Sequence, residues 1–265
     1  MKFDSLHPFR VTAPEGKVKL VIMNASDGLP AAFALMGTRA QRKVALRLGG
    51  GCKGMNQQDK LDMLEYFSTA FAGYDGLIWS GSTRQVTSEG QIDPMITDVP
   101  GVIAAANKDA VALGTCPRIE MLTLQQDSRL VLDEWGTVPN PDMAGILIVQ
   151  NGPDGAGAWD GDVATYFRLM ESWRDFAGFT ALGLITWNGG QITQDEIMLA
   201  AKKKWPVMLV RGSGRATDEV ADKLTNGDKE LLETLPTDHR VTVVQRDNPE
   251  SLRKALFGSG FLATA

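Results

Sequence analysis

Side chains for acid, base or nucleophilic chemistry are scarce in this chain. Histidine occurs twice among 265 residues, as His7 and His239, and cysteine twice, as Cys52 and Cys116. Neither histidine stands beside a candidate nucleophile, which argues against Ser-His-Asp chemistry. The cysteines are far apart and lack CxxC spacing, so neither a disulfide framework nor a zinc site is expected, and the setting reads as cytoplasmic. Positive charge is not in surplus: the formal net charge is -5 and the pI is near 5.2. With no Lys/Arg stripe to neutralise phosphates, a nucleic-acid surface is excluded. No apolar run approaches the length of a membrane span, and Met1 to His7 lack the apolar core of a signal peptide. A complete G-x-G-x-x-G followed by a distant acidic residue is also missing. Gly212-Ser213-Gly214-Arg215-Ala216-Thr217 begins that pattern without its last glycine, which leaves a dehydrogenase unsupported.

What the chain does have is a repeated grammar of apolar run, glycine break and amphipathic segment. That is the pattern of an α/β protein, a Rossmann-like, mostly parallel sheet flanked by helices. The length fits one domain over 1–265, with an irregular or antiparallel insertion at about 116–161 where the helical period is lost. Strands are expected at Lys17–Met23, Lys43–Leu48, Gly76–Ser80, Ala110–Gly114, Arg129–Asp133, Ala144–Val149, Gly183–Asn188, Trp205–Arg211 and Arg240–Val244. Helices are expected at Leu29–Met36, at Gln57–Phe71 with Leu61, Met63, Leu64, Phe67 and Phe71 at largely helical spacing, and at Met95–Asn107, broken or bent near Pro100. Further helices are expected at Val163–Phe176, after each of the last two glycine turns, and at Ser251–Phe257.

The candidate functional residues lie where glycine follows a strand. Asn188-Gly189-Gly190 and Gly212-Ser213-Gly214-Arg215 each open a helix, and two such turns on neighbouring strands place two sets of backbone N–H groups around one crevice. Gly49-Gly50-Gly51 is a third glycine turn, with Lys53 nearby; tight turns use glycine without any ligand, so this signal is weaker. Ser80-Gly81-Ser82-Thr83-Arg84 combines glycine, hydroxyls and a planar cation that can fork onto an anion, or forms an ordinary turn. Thr193 can add a hydroxyl and Arg215 a charge, unless Arg215 pairs with Asp218 or Glu219. Asp160 and Asp162 read first as helix caps and second as cation ligands, so no metal is expected.

These residues resemble the prokaryotic SLOG domains related to the N-terminal region of TRPM channels, within the wider group that includes the cytokinin-activating LOG proteins. The LOG signature Pro-Gly-Gly-x-Gly-Thr-x-x-Glu is met by Asn188-Gly189-Gly190-Gln191-Ile192-Thr193-Gln194-Asp195-Glu196, in which Asn188 replaces proline and Ile192 the third glycine. The TRPM-like branch is similar through Trp205 to Asp218 with its Gly-Ser-Gly-Arg turn, and through Ile78 to Thr83, with Trp159-Asp160-Gly161-Asp162-Val163 between them. The resemblance spans about Lys43 to Asp218.

The resemblance implies binding or sensing of a NAD-derived nucleotide such as ADP-ribose or a cyclic form, in signalling, with no cofactor required. The partners it implies are that small ligand and either a homo-oligomer or a separate effector protein. The alternative is a LOG-type phosphoribohydrolase acting on a nucleoside monophosphate. In that reading Glu196 would stabilise the charge developing at the ribose.

Overall fold

Strand residues of this protein alternate between two apolar layers, and that alternation decides where each helix packs. The structure, a computed structural model, describes residues 9–12, 19–24, 40–86, 91–117, 123–124, 130–131, 138–150 and 163–263. Its first seven strands are β1 (Phe9–Thr12), β2 (Lys19–Asn24), β3 (Val44–Gly51), β4 (Leu77–Gly81), β5 (Thr83–Val86), β6 (Ile92–Asp93) and β7 (Val111–Pro117). The others are β8 (Thr123–Leu124), β9 (Leu130–Val131), β10 (Val138–Pro139), β11 (Gly145–Gln150), β12 (Ala181–Asn188), β13 (Val207–Arg211) and β14 (Val241–Gln245). The helices are α1 (Gln57–Ala70), α2 (Val99–Ala106), α3 (Val163–Ala177), α4 (Gln191–Lys202), α5 (Arg215–Thr225), α6 (Lys229–Thr234) and α7 (Pro249–Gly258).

Nine strands form the main sheet in the order β1-β2-β11-β7-β4-β3-β12-β13-β14. All neighbours pair in parallel except β1, which runs antiparallel to β2 at one edge. Two small antiparallel sheets, β10-β5-β6 and β8-β9, supply the irregular part. Of the expected insertion at 116–161, Gly145–Gln150 is a strand inside the main sheet, between β2 and β7. The expected helix at Leu29–Met36 and the residues Asp160 and Asp162 lie outside the described residues.

Both faces of the sheet are covered. Leu46, Leu48, Ile185, Trp187, Met208 and Val210 pack with Met63 and Phe67 of α1, Ile103 of α2, and Leu252 and Leu256 of α7. Ala45, Leu184, Val207 and Leu209 pack on the opposite side with Phe167 and Trp173 of α3, Ile197 and Ala200 of α4, and Val220 of α5. Parallel strands buried on both faces carry near-continuous apolar runs, as these do.

Local chemistry sets the helix ends. Asn56 accepts the Asp59 N–H at 2.9 Å, and the Asp59 carboxylate accepts the Asn56 N–H at 3.3 Å, a reciprocal cap that starts α1. Leu61 is 45% exposed, because it sits on the outer face of α1. The helix expected at Met95–Asn107, broken or bent near Pro100, is a 3₁₀ turn at Ile96–Asp98 followed by α2, with Pro100 in the first turn, where its missing N–H costs no helical bond.

Candidate functional site

The direction of the chain reverses at β3. From β3 the main-sheet strands proceed to β4 and then β7 on one side; from β12 they proceed to β13 and β14 on the other. The carboxyl ends of β3 and β12 therefore meet at a topological switch point, where open α/β sheets bind ligands. The register places Gly51 opposite Asn188, and β13, ending at Arg211, lies on the far side of β12.

Gly49, Gly50 and Gly51 belong to β3 and do not form a turn of their own. A Cβ at Gly49 would collide with the Glu196 carboxylate, and one at Gly50 with the Trp187 carbonyl oxygen. Gly50 also has φ 141, which favours glycine. The glycines thus permit close approach of β12 and of Glu196 to the end of β3.

Asn188 joins three segments. Its N–H donates to Ser213 Oγ at 2.8 Å, its carbonyl accepts from Thr217 Oγ1 at 2.8 Å, and its Nδ2 donates to the Lys53 carbonyl at 3.2 Å. The residue is in the left-handed region with φ 54, which asparagine tolerates better than most residues. Gly189, with φ 83, packs against Thr193, which leaves no room for a side chain. Gly190 and Gly214 then stand as N-caps of α4 and α5, and neither helix has a side-chain cap bond. The first-turn N–H groups of both helices are left for water or a ligand.

Arg215 is exposed, and its guanidinium lies over Gly190, with one nitrogen 3.0 Å from where a Cβ would stand. The carboxylate expected to pair with it is engaged elsewhere: Asp218 accepts the Gly212 N–H at 2.8 Å. Among the described residues no carboxylate forms an ion pair with Arg215. Arg246 forms a further wall, held against Asp59 at 2.5 Å and over the Trp187 ring at 5.6 Å, with its Cβ against Gly212.

Glu196 is buried at 1% exposure and bound to Arg47 of β3, with Nε at 3.1 Å and a terminal nitrogen at 2.8 Å from the same carboxylate oxygen. Arg47 was not among the residues singled out from the sequence. Its signal there is a lone charge inside the apolar strand Val44–Leu48, which needs a buried partner.

The stretch Ser80 to Arg84 begins in β4, which β3 separates from β12 in the main sheet. Ser80 and Gly81 end β4, Thr83 and Arg84 begin β5, and the segment is a passage between two sheets. Ser80 Oγ donates to the Gly81 carbonyl, Ser82 is buried against Gly114, and the Thr83 carbonyl accepts from Thr97 Oγ1. Arg84 donates from Nε to Asp98 at 2.8 Å and from a terminal nitrogen to Asp142, so two of its three nitrogens are already engaged by carboxylates. Burial alone would depress the Arg84 pKa, but the bonds to Asp142 and Asp98 outweigh it and hold the guanidinium more firmly protonated than usual. Burial pushes the thiol of Cys52, just beyond Gly51, up to about 11.

The family model described as "SLOG in TRPM, prokaryote" matches residues 135–251. Over that segment the chain is similar to the prokaryotic SLOG family. The SLOG match takes in both glycine turns and Arg215 but not β3 or Ser80 to Arg84. Among solved structures, the X-ray structure of TM1055, a structural-genomics target, is similar with a TM-score of 0.50 and 18% identity, over 82% of this chain and 99% of that one. This likeness is one of fold, the Rossmann-like α/β architecture. No curated protein matches the sequence. Among the described residues, no helix is long and apolar enough to cross a membrane.

Proposed function

We propose that this protein binds a NAD-derived nucleotide, such as ADP-ribose or a cyclic form, by its phosphates at the carboxyl ends of β3, β12 and β13, and that the bound ligand signals to an effector or a second copy. The observation that carries the reading is the pair of helix N-termini without side-chain caps, at Gly190 and Gly214, with the exposed Arg215 guanidinium between them and no carboxylate holding it. Backbone N–H groups and a helix dipole favour an anion, and a planar cation adds a charge-assisted fork.

Cleavage of a nucleoside monophosphate by Glu196 is less well supported. Its carboxylate is buried against Arg47, and a group so engaged must break that pair before it can meet a ribose. Calorimetry with ADP-ribose, its cyclic isomers, NAD and AMP tests the proposal. Binding is expected for at least ADP-ribose, and Arg215→Gln is expected to weaken it by about tenfold or more, the scale of one lost charged hydrogen bond. Silence of every ligand at millimolar concentration would defeat the reading. Turnover of AMP or NAD that disappears in Glu196→Gln would favour the enzyme.

A further inference from the structure

Asn188 contains one polar atom that the fold does not use. The residue is 2% exposed, and its N–H, its carbonyl and its Nδ2 are all engaged, whereas Oδ1 has no donor among the described residues. The Lys53 carbonyl fixes the orientation of the amide: it can only accept, so the nitrogen faces it and the oxygen turns away. Oδ1 turns toward Gly214. A Cβ placed there would be 3.5 Å from Oδ1 and 4.0 Å from Nδ2. A buried acceptor without a partner is costly, and native structures retain few of them.

The surroundings indicate what can fill that gap. Gly214 caps α5, of 11 residues, and Gly190 caps α4, of 12 residues, so the groups facing the turns are helix N–H donors and the Arg215 guanidinium. A phosphate oxygen satisfies those donors and is repelled by a carbonyl oxygen. A hydroxyl carried close to the phosphate satisfies the carbonyl.

We infer that Asn188 Oδ1 accepts a hydrogen bond from a sugar hydroxyl of the ligand, which makes Asn188 the specificity-determining residue that selects a phosphate on a hydroxylated ribose. The inference rests on the nucleotide-binding reading above and adds a selection rule to it. It belongs to this chain's own sequence, because the resembling signature has proline at this position and proline has no side-chain acceptor.

Calorimetric titration of the full chain with AMP, 2′,3′-dideoxy-AMP and inorganic phosphate tests it, on wild type and on Asn188→Gly, a substitution compatible with φ 54. Wild type is expected to prefer AMP over the dideoxy compound by about tenfold, and to bind inorganic phosphate more weakly than AMP. In Asn188→Gly the preference should fall to within about twofold, since loss of the bond to Lys53 weakens both nucleotides alike. A preference that survives the substitution, or is absent in wild type, overturns the inference. The wild-type comparison decides even if the variant fails to fold. If ADP-ribose binds while AMP does not, the inference falls and the nucleotide reading stands; if no nucleotide binds, both fall.

Discussion

Arg47 and Glu196 show how one residue pair can redirect a functional expectation. Two opposite charges on β3 and α4 are withdrawn from water together, and each is tolerable only because the other is there. The pair ties α4 to the strand whose end forms the switch point. Arg47→Met is expected to destabilise the chain by about 3–5 kcal/mol through the carboxylate it strands, read by urea denaturation. The double variant Arg47→Met/Glu196→Leu should recover most of that loss. A single substitution costing under about 1 kcal/mol would mean that the carboxylate finds water, and would reopen a chemical role for it.

Elements rather than single residues decide what the two arginine-bearing segments do. Arg215 is the first residue of α5 and reaches back over the start of α4, so it belongs to the space between two helix ends. Arg84 instead joins β5 to Asp98 at the end of the 3₁₀ turn and to Asp142 beyond β10, and Asn140 adds a bond to Asp98 at 3.2 Å. That network anchors the small β10-β5-β6 sheet to the 3₁₀ turn that leads into α2. Arg84→Gln should therefore lower stability by about 2–3 kcal/mol while leaving the dissociation constant for ADP-ribose within about twofold of wild type. A melting curve and a titration of the same sample check both halves; a large affinity loss with unchanged melting would return Arg84 to the ligand.

At the scale of the whole molecule, ligand binding at the switch point should stabilise the fold, because the cradle is assembled from β3, β12, β13 and their helices and does not exist in the unfolded chain. At a free ADP-ribose concentration one hundred times the dissociation constant, the expected gain is about 2.7 kcal/mol, which for a chain of this size raises Tm by about 5–10 °C. Differential scanning calorimetry with and without the nucleotide measures it, and an unchanged Tm at saturation would contradict the proposed site. Much of this architecture was legible beforehand. Alternating apolar faces, as in Leu46 and Leu48 against Ala45, give strands their period whatever they pack on, and the turns Asn188 to Gly190 and Gly212 to Arg215 announce helix starts through local chemistry alone. Partners were not legible, since Arg47 lies 149 residues from Glu196 and Arg84 58 from Asp142, and no local pattern encodes such pairings. The sequence by itself therefore determined the α/β class and the glycine turns, because backbone preference and burial periodicity are local properties. Only the tertiary structure decided which arginine remains free, which carboxylate is buried, and that β3 and β12 meet at the switch point, because those outcomes depend on which distant charges and strand ends the fold brings together.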